Sequence, residues 1–222
     1  MMKNKIENAK KLLRSGELVI FPTETVYGLG ANANDKNAVK KIYNIKKRPA
    51  YNPIICHFAN IEEVKKNFHL NKLEELLAKK LWPGPITLIL KKRNNSKISK
   101  LVSNNSSYVG CRIPNNQIAL QLLKNLYFPL AAPSANFSER TSVTRFEDLE
   151  KKLIKKIFTI KGEQSKLGLE STVIKVKKNN IELLRLGSIT ANDILKVANK
   201  SKIKFITNSK ISPGNLKKHY AT

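Results

Sequence analysis

The sequence predicts an α/β domain, and two observations carry that prediction. Apolar runs of strand length alternate with segments of helical spacing along the chain, and turn residues separate them. With 222 residues, 41% of them hydrophobic, the chain can bury one core, as a single domain or as one domain with a small appendage.

Ile6, Ala9 and Leu13 lie at helical spacing and end at Gly16, and Leu18 to Phe21 follows as a strand. Asp35 caps a helix carrying Ala38, Val39, Ile42 and Tyr43, which leads into a KKRP loop and a strand from Ile54 to Phe58. Asn60 and Asn71 begin two more helices, the second with Leu73, Leu76, Leu77 and Lys80 on its face. The WPGP run at Trp82 to Pro85 is a rigid turn before the strand ITLIL. Lys91 to Ser107, rich in lysine and asparagine, is expected to be a mobile loop that adds little to the core. A strand at Tyr108 to Arg112, a helix across Gln117 to Leu126 and an apolar run at Pro129 to Ala132 come next. Ser171 to Val176 and Ile181 to Leu186 read as a hairpin. Thr190 caps the last clear helix with Asp193 in capping-box position, and beyond Ile206 the pattern fades into a tail.

The formal charge of +26 draws any phosphate-bearing partner, but it is a weak guide. Only seven of the 42 basic residues are arginine, and the chain is also rich in asparagine and isoleucine, the mark of AT-rich coding drift. The arginines discriminate better. Arg48, Arg112 and Arg185 each sit beside a proline, a glycine or a strand end, and only arginine offers a planar fork for carboxylate or phosphate.

Several classes are excluded or disfavoured. The longest apolar stretches, such as Ile86 to Leu90, fall far short of the roughly 20 residues that span a bilayer. The N-terminus lacks an apolar signal core, so a cytoplasmic protein is expected. Cys56 and Cys111 have no CxxC partner, and the histidines at 57, 69 and 219 have no metal-ligand spacing, so no protein-bound metal site is expected. No GxxxxGK[ST] loop occurs, and YGLGA is not a GxGxxG that opens a helix after a strand. What remains is catalysis by charge and alignment, as in nucleotidyl transfer.

FPTETVYGLG at Phe21 to Gly30 runs from a strand into a proline and hydroxyls, with Gly28 and Gly30 read as letting the backbone approach a ligand. KKRPAYNP at Lys46 to Pro53 adds cations, a rigid turn and an amide. Together they suggest a pocket for a polyanion beside a small polar molecule. The residues alone leave alternatives open. Arg112 also suits a surface salt bridge, His57 a satisfied core histidine, and Thr23 and Thr25 a turn cap. Glu24 suits a metal contact, an amine contact or a solvated turn equally.

Four blocks in order, PTETVYGLG, KKRPAYNPIICH, GCRIP with APSAN, and GLESTV with RLG, span Glu17 to Ser188. With Lys46-x-Arg48 followed by Ser134-x-Asn136, they make the chain resemble the YrdC-like family of threonylcarbamoyl-AMP synthases. The resemblance implies a twisted mixed β-sheet flanked by helices around a deep basic groove. It implies a catalytic domain over residues 1–206, and a linker-like tail or lid over residues 207–222, where SPGNLKKHYAT matches the linker of longer members. The implied reaction joins L-threonine, bicarbonate and ATP into threonylcarbamoyl-AMP and pyrophosphate, with Mg²⁺ on the triphosphate. The product passes to the proteins that modify tRNA, and the sequence leaves open whether tRNA itself is contacted. Lys46 and Arg48 are the implied catalytic pair. Arg48, Asn52, Tyr108, Ser134, Asn136, Ser142, Arg185 and Tyr220 would hold the nucleotide, and Thr25, His57, Arg112, Ala132 and Thr172 the threonine. Lys175 departs from the family, which often has an acid there. The rival reading is a non-catalytic RNA-binding module using the same basic groove, for which a small polar niche has no purpose.

Overall fold

The computed structural model describes residues 1–138, 140–178, 180–199 and 202–205. The expectations for residues 207–222, Tyr220 included, lie outside the described residues.

Helix α1 (Met2–Arg14) buries Ile6, Ala9 and Leu13, the spacing of one helical face. Strands β1 (Val19–Phe21) and β2 (Gly28–Asn32) pair antiparallel around the PTET loop. Helix α2 (Lys36–Lys46) starts where the Asp35 carboxylate accepts from the backbone N–H of Asn37 and Ala38, and stops at Lys47 with φ 51°. Strand β3 (Cys56–His57), helix α3 (Ile61–Asn67), strand β4 (Phe68–His69) and helix α4 (Lys72–Leu81) follow. The caps at Asn60 and Asn71 form as expected, and the latter closes a full capping box with Glu74.

Strand β5 (Ile86–Lys92), strand β6 (Tyr108–Arg112), helix α5 (Gln117–Leu123) and strand β7 (Leu130–Ala131) make the middle of the domain. Helix α5 ends before Leu126 because Lys124 is extended and Asn125 turns to φ 65°. A short helix α6 (Lys151–Ile154) and strand β8 (Phe158–Thr159), neither foreseen, precede the hairpin of β9 (Thr172–Lys177) and β10 (Asn180–Arg185). Helix α7 (Ala191–Val197) carries the Thr190–Asp193 capping box, and β11 (Lys202–Phe205) pairs parallel to β10.

The strands form one mixed sheet in the order β11-β10-β9-β5-β6-β3-β7-β2-β1-β8, with β4 added alongside β5. Alternation along the strands divides the core between the two faces. Leu18 and Ile20 join the larger cluster with Ala38, Val39 and Ile42 of α2 and Leu77 of α4. Val19 and Phe21 pack with α1 and with Ala119, Leu122 and Leu123 of α5. The same alternation places the functional residues. β3 and β6 run parallel with Cys56 opposite Cys111 and His57 opposite Arg112. The cysteines enter the larger cluster as buried free thiols, so His57 and Arg112 point to the face that Phe21 shares.

Two expectations need correction. The segment from Lys91 to Ser107 is part of the core. Ile98 and Val102 are buried, Tyr43 donates its hydroxyl to the Leu101 carbonyl at 3.0 Å, and the Ile54 N–H donates to the Val102 carbonyl at 2.8 Å. Composition concealed three apolar side chains, Ile98, Leu101 and Val102, at turn spacing. The glycines of YGLG also serve packing. A Cβ on Gly30 would lie 2.8 Å from the Phe21 ring, so Gly30 makes room for that ring rather than for a ligand. Only Gly28 reaches the pocket described below.

Gly187, in the RLG block, is more tightly confined. A Cβ there would lie 2.4 Å from both the Glu170 carbonyl oxygen and the Thr172 nitrogen, which are backbone atoms and cannot rotate away. Gly187→Ala is therefore expected to cost at least the roughly 1 to 3 kcal/mol typical of overpacking. Urea unfolding checks this, and a midpoint unchanged from wild type contradicts it.

Candidate active site

The loop after β1 carries Thr23, Thr25 and Val26 to the edge of a pocket whose far side is Arg185 and the Glu170–Ser171 step into β9. Arg48, Ile54, Ile55 and His57 form one wall, and Arg112 and Ala132 to Ser134 complete it. The loop is held from behind, because the Ser165 hydroxyl donates to the Thr23 carbonyl at 2.9 Å and the Leu167 N–H to the Glu24 carbonyl at 3.0 Å.

Arg112 is 3% exposed, and its fork is spread over three neighbours. Nε donates to the Gly84 carbonyl at 3.2 Å, so the WPGP turn positions it, and Nη1 donates to Thr25 Oγ1 at 2.9 Å. Nη2 lies 2.7 Å from Glu24 Oε1 as an ion pair, yet neither Nη2 nor the Glu24 oxygens meet along hydrogen-bond directions. Burial lowers the Arg112 pKa, and the Glu24 carboxylate opposes that shift. This pair is buried, so neither a surface salt bridge at Arg112 nor a solvated turn at Glu24 describes it.

Arg185 has a counter-ion of its own. Its Nη1 pairs with the Glu170 carboxylate, whose other oxygen accepts from the Ser142 hydroxyl at 2.9 Å. Nε and Nη2 donate to the Ser171 carbonyl at 3.0 and 2.9 Å, and Ser171 Oγ in turn meets Thr87 Oγ1 at 2.8 Å. Arg48 uses Nε on the Asn52 carbonyl at 3.0 Å and Nη2 on Asn52 Oδ1 at 2.6 Å and the Pro53 carbonyl at 2.7 Å. Burial pushes its pKa down to about 10, so it stays charged at neutral pH. Among the described residues Arg48 has no acidic ion-pair partner, unlike Arg112 and Arg185.

Lys46 is 2% exposed and points into the protein. Its ammonium donates to the Ser134 carbonyl at 2.6 Å, to the Asn136 carbonyl, and weakly to Asn136 Oδ1 at 3.4 Å. Burial and nearby Arg48 push its pKa down to about 7, and the Glu170 carboxylate opposes that shift. Asn136 spends its amide N–H groups on the Phe137 and Arg140 carbonyls. Lys46 and Asn136 thus pin the loop that presents Ser134.

Of the residues that the sequence assigns to ligands, Thr25, Arg48, His57, Arg112, Ala132, Ser134 and Arg185 come together around this pocket. Asn52 stands behind Arg48, and Ser142 reaches Arg185 only through Glu170. The Thr172 hydroxyl points away and donates to the Ile189 carbonyl at 2.8 Å, because Thr172 shares the strand face of Ile174 while Ser171 takes the pocket side. Tyr108 lies four residues from Arg112 along β6, with the Lys175 ammonium 3.8 Å above its ring centre. Glu170 and Ser171 carried no assignment from the sequence. Glu170 had a signal, as an acid beside a strand start in a chain with only 16 acidic residues.

His57 is 5% exposed, lies edge-on to Phe21 at 6.2 Å, and its Nδ1 has no hydrogen-bond partner. Burial first, and Arg112 second, lower its pKa from 6.5 to about 3, so the imidazole is neutral at pH 7. Between those two values the unfolded chain binds the proton that the folded chain refuses, so stability falls as pH drops from about 6.5 toward 3. Thermal melts at pH 7 and pH 4 are expected to show a larger loss for wild type than for His57→Gln, and parallel losses contradict a buried neutral imidazole.

The family model Sua5/YciO/YrdC, described as telomere recombination, matches residues 11–187. A threonylcarbamoyl-AMP synthase of Pyrococcus abyssi is 40% identical over 225 residues, covering 98% of this chain and 65% of that protein. A threonylcarbamoyl-AMP synthase of Bacillus subtilis is 40% identical over 222 residues, covering 97% of this chain and 64% of its own length. The chain therefore spans slightly less than two thirds of these relatives. The crystal structure of P. abyssi Sua5 complexed with L-threonine superposes with a TM-score of 0.89 at 40% identity, over 97% of this chain and 65% of that one. By matched length, identity and shared fold, the chain belongs to the Sua5/YciO/YrdC family.

Proposed function

We propose that this protein makes threonylcarbamoyl-AMP and pyrophosphate from L-threonine, bicarbonate and ATP. The carrying observation is the division of charge around the pocket. Arg112 and Arg185 have acidic partners, and Arg48 brings a cation without one. A polyanion is drawn to Arg48, while Arg112, Thr25 and His57 make a small niche with donors and an acceptor suited to an amino acid with a hydroxyl. The crystal structure of the P. abyssi relative with L-threonine supports that assignment.

In this reading the Arg112 fork takes the threonine carboxylate, and the pocket aligns the amine and the nucleotide for reaction. The amine adds to carbon dioxide derived from bicarbonate, giving a carbamate and a released proton. A carbamate oxygen then attacks the α-phosphorus, a P–O bond forms, and pyrophosphate leaves. Arg48, assisted by Arg185, stabilises charge gathering on the phosphates. Lys46 acts on that step through the Ser134 loop it pins. Glu170 is the one carboxylate lining the pocket among the described residues, and Ser142 and Arg185 already engage it. Mg²⁺ carried by the triphosphate draws most ligands from phosphates and water, so this donor set is compatible with it. When bound it supplies neutralisation of phosphate charge.

Among the described residues no helix is long and apolar enough to cross a membrane. The proposal places the enzyme in the cytoplasm, upstream of the proteins that transfer the threonylcarbamoyl group to tRNA. Pyrophosphate release is expected only when L-threonine, bicarbonate and ATP are all present, and release without threonine counts against the reading. Arg48→Ala is expected to lose about 2.7 to 4 kcal/mol of transition-state stabilisation, a 10²- to 10³-fold drop in turnover. Circular dichroism on the same variant separates this from unfolding, since Arg48 also braces its own loop. Wild-type turnover in a folded variant removes Arg48 from the site.

A further inference from the structure

Glu24 is unusual among the acids around the pocket. Both of its carboxylate oxygens are buried without a hydrogen-bond donor, although they belong to the same loop as Thr23 and Thr25. Their ion-pair partner is Arg112 Nη2 at 2.7 Å, met off the hydrogen-bonding direction. Buried carboxylates are normally satisfied by several donors, so a helix cap or turn contact does not explain this one. What it supplies is charge, 2.7 Å from the guanidinium that lines the pocket.

We infer that Glu24 is a positioning residue that makes the pocket select a zwitterionic α-amino acid over a bare carboxylate of the same shape. This rests on the assignment of threonine to the Arg112 niche. Arg112 and Glu24 together carry no net charge. Adding an amino acid, with its carboxylate and ammonium, keeps the buried site neutral. Adding a carboxylate without the amine leaves a net negative charge out of water, which is costly. Charge balance also holds on the opposite side of the pocket, where Glu170 neutralises Arg185, so neither of these two arginines offers an unbalanced cation to a simple acid, and the uncompensated charge of Arg48 is taken up by the phosphates once ATP is bound. Nη2 keeps an unused hydrogen-bonding direction, so a substrate carboxylate can use it without first displacing Glu24.

The test compares calorimetric binding of L-threonine and of (R)-3-hydroxybutyrate, which is threonine without its amine, to protein saturated with a non-hydrolysable ATP analogue so that Arg48 is occupied. Wild type is expected to favour threonine by at least tenfold. Glu24→Gln, which leaves Arg112 unbalanced, is expected to shift the ratio of the two dissociation constants at least tenfold toward the hydroxy acid, with ATP binding within twofold of wild type. Glu24→Asp keeps the charge and is expected to keep the wild-type preference. Equal binding of the two ligands by wild type overturns the inference without any variant. So does a folded Glu24→Gln protein in which both ligands weaken together. Failure of wild type to bind threonine at all overturns the functional reading as well, and so separates the two.

Discussion

The candidate site depends on holding three guanidinium groups around one pocket without letting any of them collapse onto the wrong acid. Arginine keeps its charge even when burial lowers its pKa, so each buried guanidinium demands either a counter-ion or enough carbonyl oxygens. The structure uses both solutions. Glu24 and Glu170 neutralise Arg112 and Arg185, while Arg48 is held by the carbonyls of Asn52 and Pro53 and the Asn52 side chain. Carbonyls hold the group in place but leave its full charge available, and that difference is what the proposed phosphate role of Arg48 rests on.

Holding those groups requires the loops to be fixed before a ligand arrives. Lys46 secures the Ser134 loop, the WPGP turn gives Arg112 its Gly84 carbonyl, and the absence of a side chain at Gly187 lets the end of β10 lie against Glu170 to Thr172. None of these residues has to touch a substrate to matter. Displacing any of them by a fraction of an ångström shifts a wall of the pocket, which is how a remote change affects a reaction governed by alignment.

Much of the fold was legible in the sequence because its signals are local. Helix caps at Asp35, Asn60, Asn71 and Thr190 act within four residues, and strand alternation by itself assigns Cys56 and His57 to opposite faces. What stayed hidden depends on partners distant in the chain. The role of Gly30 was misread because it is set by the Phe21 ring across the hairpin, and the core function of Ile98 and Val102 was masked by the lysines and asparagines around them. In the site, the arginines stood out by residue type against a lysine-rich background, whereas the direction of the Thr172 hydroxyl depends on strand register that one sequence does not encode locally. Glu24 was ambiguous for the same reason, since its meaning lies wholly in Arg112, 88 residues away.

The central claim is that Arg112 with Thr25 and His57 forms the amino-acid niche and Arg48 the phosphate niche of one pocket. A crystal structure with L-threonine and a non-hydrolysable ATP analogue tests it most directly. The account predicts the threonine carboxylate on Arg112 Nη2, its hydroxyl within reach of His57 Nδ1 or Thr25 Oγ1, and triphosphate oxygens on Arg48. Threonine bound away from Arg112, or phosphates on Arg112 with Arg48 uninvolved, would contradict it.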